Sequence, residues 1–223
     1  MYHAYNRGVE KRNVFLDEED YFRFIHDLFE FNDVNPALPS SYQSYEVAPR
    51  KIGVGKNKRK PREFLVHILA FTLMPNHFHL LLMQKRENGI SEFLRKLSGG
   101  YTMYFNQKYE RSGVLFQGRF KAALVERDAH FIHLPYYIHA NPLDLVMPEW
   151  REGNLKNPEA AFTFLTSYKW SSFSDYIGKR NFPSVTQREF LLNGAGNEER
   201  YKSDFISWLK SIQLDTISDI IIE

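Results

Sequence analysis

Apolar and polar positions along this 223-residue chain recur with two different periods, and the switches between them mark its elements. From about Glu18 to Asn32, residues Tyr21, Phe22, Phe24, Ile25, Leu28 and Phe29 fall at helical spacing and predict an amphipathic helix. Tyr2 to Asn6 reads as a short strand ended by Arg7-Gly8. Glu63 to Leu73 and His77 to Gln84 read as strands, and Met74-Pro75-Asn76 between them has the residue types of a turn, so the pair predicts an antiparallel hairpin. A second helix opens at Ser91 and reaches about Tyr109, with Gly99-Gly100 expected to weaken its middle. Leu115 to Glu126 predicts a further strand. Asp128 is placed to cap a third helix from Ala129 to about Asn141. Pro142 stops that helix, because the residue before a proline is pushed out of helical geometry.

The order strand, helix, strand, strand, helix, strand, helix predicts an α+β fold: a ferredoxin-like antiparallel sheet with helices packed on one face. This unit occupies residues 1–147. Residues 148–223 read as a C-terminal extension, mainly helical, with a Trp170-Ser171-Ser172-Phe173 segment and a helix around Glu198 to Ile212. Pro36 to Arg62 is irregular and reads as an insertion or hairpin loop. There is no internal repeat.

Composition narrows the class. The chain has no cysteine, which excludes disulfides, thiolate zinc sites and cysteine nucleophiles and predicts a cytoplasmic protein. No apolar run approaches a membrane span, and Met1-Tyr2-His3-Ala4-Tyr5 lacks the regions of a signal peptide. Net charge is +2, but Arg50, Lys51, Lys56, Lys58, Arg59, Lys60 and Arg62 lie together in the insertion; without those seven, 22 basic residues face 27 acidic ones, a net of −5. The basic loop therefore sets the sign of the chain. It reads either as a solvated linker or as a phosphate-contacting, salt-sensitive surface.

The candidate chemistry starts from Met74-Pro75-Asn76-His77-Phe78-His79-Leu80-Leu81-Leu82. On a strand, residues two apart share a face, about 6.6 Å apart along the chain, so both imidazoles can converge on one metal ion. The third helix carries His130, His133, Tyr137 and Asn141 at spacings of three and four, which share a face. A tyrosine beside a metal suits phosphoryl transfer, in which the phenolate attacks phosphorus and the metal polarises the phosphate. Asn141 adds an oxygen ligand, and two imidazoles with a carboxamide oxygen and waters suit an open Mg²⁺ or Mn²⁺ site better than a closed zinc site. Taken one at a time, these residues also fit two core histidines, a half-buried tyrosine and a helix stop.

The histidine segment resembles the HUH motif of single-tyrosine transposases of the insertion-sequence-200 type, and most closely that of the REP-associated tyrosine transposases. Tyr137-Ile138-His139-Ala140-Asn141-Pro142 resembles their nucleophile helix, and Tyr2-His3-Ala4-Tyr5-Asn6-Arg7-Gly8 their opening strand. Phe116-Gln117-Gly118-Arg119-Phe120-Lys121 is similar to the strand before that helix, and Lys169-Trp170-Ser171-Ser172-Phe173 to a segment after the core. The resemblance covers about residues 1–175. It implies that His77, His79 and Asn141 bind Mg²⁺ or Mn²⁺. It implies that Tyr137 attacks single-stranded or hairpin DNA, leaving a 5′-phosphotyrosine and a free 3′-hydroxyl. Arg7, Lys11, Arg12, Arg119 and Lys121 are the candidates for holding the strand.

Two residues depart from a simple reading. Pro135 inside the third helix predicts a kink or a fresh start there. Tyr136 is a rival nucleophile, although adjacent helix positions differ by about 100° and only one can face the site. His3, on the first strand, could approach the site but reads first as a core histidine, and His139 is expected to pack or cap. Two other classes stay open: a domesticated, non-catalytic protein that binds hairpin DNA, and an unrelated metal-dependent hydrolase. The sequence leaves open whether the protein is a monomer or a homodimer.

Overall fold

In the computed structural model, which describes residues 1–36 and 61–221 apart from the side chain of Ala129, the elements follow the expected order. They are β1 (Tyr2–Arg7), α1 (Glu18–Glu30), β2 (Val66–Met74), β3 (His77–Gln84), α2 (Gly89–Lys108), β4 (Lys121–Leu124) and α3 (Asp128–Ala140). The strands form one antiparallel sheet in the order β2-β3-β1-β4, the ferredoxin-like arrangement. Six of the basic-loop residues, Arg50 to Lys60, lie outside the described residues. The seventh, Arg62, lies over the Phe29 ring at 3.7 Å and donates to the Phe29 carbonyl.

Helices cover both sheet faces, not one. Phe78, Leu80 and Leu82 of β3 and Ala4 of β1 pack with Phe24 and Leu28 of α1 and with Phe93, Leu97 and Tyr101 of α2. Leu69, Ala70 and Leu81 pack on the opposite side with Leu134, Tyr137 and Ile138 of α3. Helices α4 (Pro158–Ser167), α5 (Phe173–Tyr176), α6 (Glu189–Ala195) and α7 (Glu198–Lys210) complete that second layer. The reason is legible in the strands: β2 and the middle of β3 are almost continuously apolar, the signature of a strand buried on both faces. Ile68 and Phe71 lie three apart yet share a face, because a bulge at Leu69 shifts the register between β2 and β3.

Other departures are local. The strand expected over Leu115 to Glu126 shrinks to four residues, because Gly118 turns the chain with φ +71° and Phe116 makes only an isolated bridge to Gly8. Asp128 does not cap α3; Arg127 holds that position, with no capping side-chain bond. Pro135 lies within α3, which runs unbroken past it. Buried Asn32, two residues beyond α1, clips onto the start of β2. Its Oδ1 accepts from the Leu65 and Val66 amides at 3.1 and 3.0 Å, and its Nδ2 donates to the Val66 carbonyl at 2.9 Å.

Gly99 and Gly100 do not interrupt α2, and they differ in purpose. A Cβ on Gly100 would lie 2.4 Å from the Phe31 ring, whereas one on Gly99 meets nothing within 4 Å. Gly100→Ala is therefore expected to cost about 1–3 kcal/mol by overpacking. Gly99→Ala is expected to gain up to about 1 kcal/mol of helix propensity. Thermal melts of the two variants check this pair, and equal shifts of one sign would contradict it.

Candidate active site

The sheet register brings the site together. Tyr5 pairs with His79 and Arg7 with His77, so His3, Tyr5 and Arg7 share a face with both histidines. On the other side of β3, Thr72 pairs with His79 and donates its hydroxyl to the Ile138 carbonyl at 2.7 Å. That bond docks α3 over the histidines. The Tyr137 ring then meets His79 edge-on at 5.9 Å between centroids and His3 at 6.1 Å. His77 and His79 are 5.0 Å apart by ring centroid.

Tyr137 and Tyr136 diverge, as their 100° offset requires. Tyr136 packs on Tyr201, Phe205 and Trp208 at 5.2 to 5.9 Å, in the core formed with the C-terminal helices. Tyr137 is 0% exposed, against the Trp150 ring. One turn later, Asn141 Nδ2 donates to the Tyr137 carbonyl at 2.8 Å. Arg151, in the 3-10 turn Pro148–Glu152, joins the pieces. It donates to Tyr137 Oη and to Asn141 Oδ1, both at 3.1 Å, and to the Asp144 carboxylate at 2.6 and 2.8 Å.

Burial favours the neutral form of both histidines. Burial pushes His79 well below the usual imidazole range, with His77, His3 and Arg151 adding to the effect. Burial lowers His77 to about 4, opposed by Asp144 and assisted by Arg151 and Arg7. His77 Nδ1 donates to Asn76 Oδ1 at 2.6 Å, while Asn76 Nδ2 donates to the Lys11 carbonyl, which leaves His77 Nε2 with its lone pair. His79 Nδ1 lies 2.9 Å from His3 Nε2, and His79 Nε2 is buried without a hydrogen-bond partner. Among the described residues no group of three or more His, Asp or Glu is placed to hold a metal. The candidate donor set is thus the two imidazoles with the Asn141 carboxamide. An orphaned buried nitrogen beside a second imidazole fits a divalent cation, provided that Asn141 Oδ1 is released by Arg151.

Other candidates fall into two groups. Arg7, Lys11, Arg12, Arg119 and Lys121 gather at the end of the sheet where His77 begins. Arg7 donates to Gln117 Oε1 at 2.7 Å, Lys121 pairs with Tyr5, and the Gln117 amide bonds the Arg7 carbonyl. Arg12 contacts Glu10 at 3.4 Å. Lys11, Arg119 and Lys121 are exposed. His130, on the expected helix face, is instead held by Arg127 at 2.9 Å, with Asp219 3.1 Å away. His139 is a packing residue, bonded to Tyr201 and Ser172. Sequence reasoning missed Arg151 and Asp144, which lie past the helix stop, and left His3 in the core. The adjacent aromatic-cationic pair Trp150-Arg151 was the only signal available for the first.

The ferredoxin-like sheet thus presents a histidine pair to a helix-borne tyrosine. Residues 57–141, the segment holding His77, His79, Tyr137 and Asn141, match the family model of IS200-like transposases. A solved structure described as a REP-associated tyrosine transposase bound to a REP hairpin is similar, at 13% identity and a TM-score of 0.46, over 82% of each chain. No curated protein matches the chain significantly. Among the described residues, no helix is long and apolar enough to cross a membrane.

Proposed function

We propose that this chain is a divalent-metal-dependent transposase that nicks single-stranded or hairpin DNA through Tyr137. The observation that carries this reading is the meeting of α3 with β3, which sets Tyr137 edge-on to His79 inside the segment matching the transposase family. His77, His79 and Asn141 are the residues that would hold Mg²⁺ or Mn²⁺, which would supply polarisation of the scissile phosphate. Tyr137 Oη attacks phosphorus; the new O–P bond forms as the bond to the 3′ oxygen breaks. The phenolic proton passes to water, and the 3′ oxygen departs with a proton as a free hydroxyl. Ester is exchanged for ester, so the hydroxyl can reverse the attack and rejoin strands. Arg7, Lys11, Arg12, Arg119 and Lys121 grip the strand at the His77 end of the sheet.

Arg151 is the residue on hand to hold negative charge on the phenolic oxygen. Arg151→Ala is expected to slow adduct formation by about 10²-fold, as loss of a charge-stabilising donor does, and to move its pH profile upward. Single-turnover rates check this. An unchanged rate removes Arg151 from the mechanism, and a faster one makes it a clamp that keeps Tyr137 closed. Tyr137 is 0% exposed, so DNA must gain access to its hydroxyl before reaction.

The same burial, with Asn141 Oδ1 engaged by Arg151, favours one second reading: a hairpin-binding protein that has given up catalysis. Incubation with labelled hairpin strands and Mn²⁺, followed by a denaturing gel, separates them. A covalent protein-DNA band supports the transposase, and binding without an adduct supports the second reading.

A further inference from the structure

His3 lies between the histidine pair and the far end of the chain. Its Nδ1 is 2.7 Å from the Ile220 carbonyl oxygen, and its Nε2 is 2.9 Å from His79 Nδ1. A carbonyl can only accept, so the proton is on His3 Nδ1. In a neutral His3, Nε2 is then the acceptor, and His79 Nδ1 must supply the proton between the rings. The remaining nitrogen of a neutral His79, Nε2, is left with its lone pair. That is the buried atom with no partner. The opposite polarity needs an imidazolium in a place where both rings are 0% exposed and stacked 5.1 Å apart, at a heavy cost in desolvation.

The anchor is itself fixed. Ile220 is buried, and its neighbour Asp219 is held by Arg127 at the start of α3. We infer that His3 is a positioning residue, clamped by the carbonyl of Ile220, that locks His79 in the tautomer whose Nε2 faces the site as a ligand. The inference rests on the proposed reading of His79 as a metal ligand only for its consequence; the lock is a property of the protein without metal. It assigns a purpose to the terminal segment after α7: the last described turn of the chain sets the protonation pattern of a residue on the central sheet.

The test uses the full chain with ¹⁵N-labelled histidine. In metal-free protein, long-range proton-nitrogen spectra should show His79 protonated at Nδ1. His3→Phe keeps the ring packing and removes the acceptor, so a population protonated at Nε2 should appear. His3→Gln retains one acceptor and one donor and should restore the wild-type pattern. Mn²⁺ titration followed by electron paramagnetic resonance should show affinity falling 10–100-fold in His3→Phe, as for loss of an outer-shell partner, and staying near wild type in His3→Gln. A wild-type His79 protonated at Nε2, or a tautomer unchanged in His3→Phe, overturns the lock. If His3→Phe does not fold, failure of His3→Gln to keep the Nδ1 tautomer overturns it. Wild-type protein that shows the stated tautomer but binds no Mn²⁺ overturns the metal reading and leaves the lock standing.

Discussion

Tyr137→Phe is expected to abolish the covalent protein-DNA adduct, by on the order of 10⁴-fold or more, which is about 5.5 kcal/mol in the barrier, while hairpin affinity is retained. The change deletes one oxygen from a ring that keeps its contacts with His3, His79 and Trp150. Arg151 loses one acceptor but keeps Asp144 and Asn141, so the fold should lose only about 1 kcal/mol. Tyr136→Phe is the matched control, since that ring packs on Tyr201 and Trp208 away from the histidines. Denaturing gels with end-labelled hairpins read both. Nicking by Tyr137→Phe at the wild-type rate would sink the nucleophile assignment.

The second large effect is expected at His79. His79→Ala removes the orphaned Nε2 and should cut Mn²⁺-dependent nicking by on the order of 10³-fold, about 4 kcal/mol. It also opens a cavity beside His3, so a melt must accompany the assay. His77→Ala should lose metal-dependent cleavage with less damage to the fold, because His77 begins its strand and is only partly buried. A folded His79→Ala protein that still nicks fully with Mn²⁺ would show that the ligand lies elsewhere. Loss of nicking in Tyr137→Phe but in neither histidine variant would point to tyrosine chemistry without this metal set.

Much of the frame was legible because local signals agreed. The turn Met74-Pro75-Asn76 and the apolar run Leu80-Leu81-Leu82 marked the strand from His77 to Gln84, and the four-residue spacing of Tyr137 and Asn141 put them on one helix face. The same periodicity could not say what His130 touches, because helix phase says which residues share a face but not what the face meets. Pro135 predicted a kink or a fresh start; α3 runs as one helix through it, packed between the sheet and the C-terminal helices. Arg151 was out of reach of pattern reading, since a 3-10 turn after a helix stop has no period. The polarity of the His3 and His79 pair depends on a carbonyl more than two hundred residues away, so only the assembled fold could supply it.

The clip made by Asn32 has a consequence for how this chain can vary. Its three bonds to the start of β2 fasten the entrance and exit of the intervening stretch from within the fold. Asn32→Ala would leave both amides without their acceptor and should cost about 1–3 kcal/mol. That one side chain thus couples the end of the first helix to an edge strand, so its loss should loosen both together while the site on the opposite face of the sheet keeps its geometry.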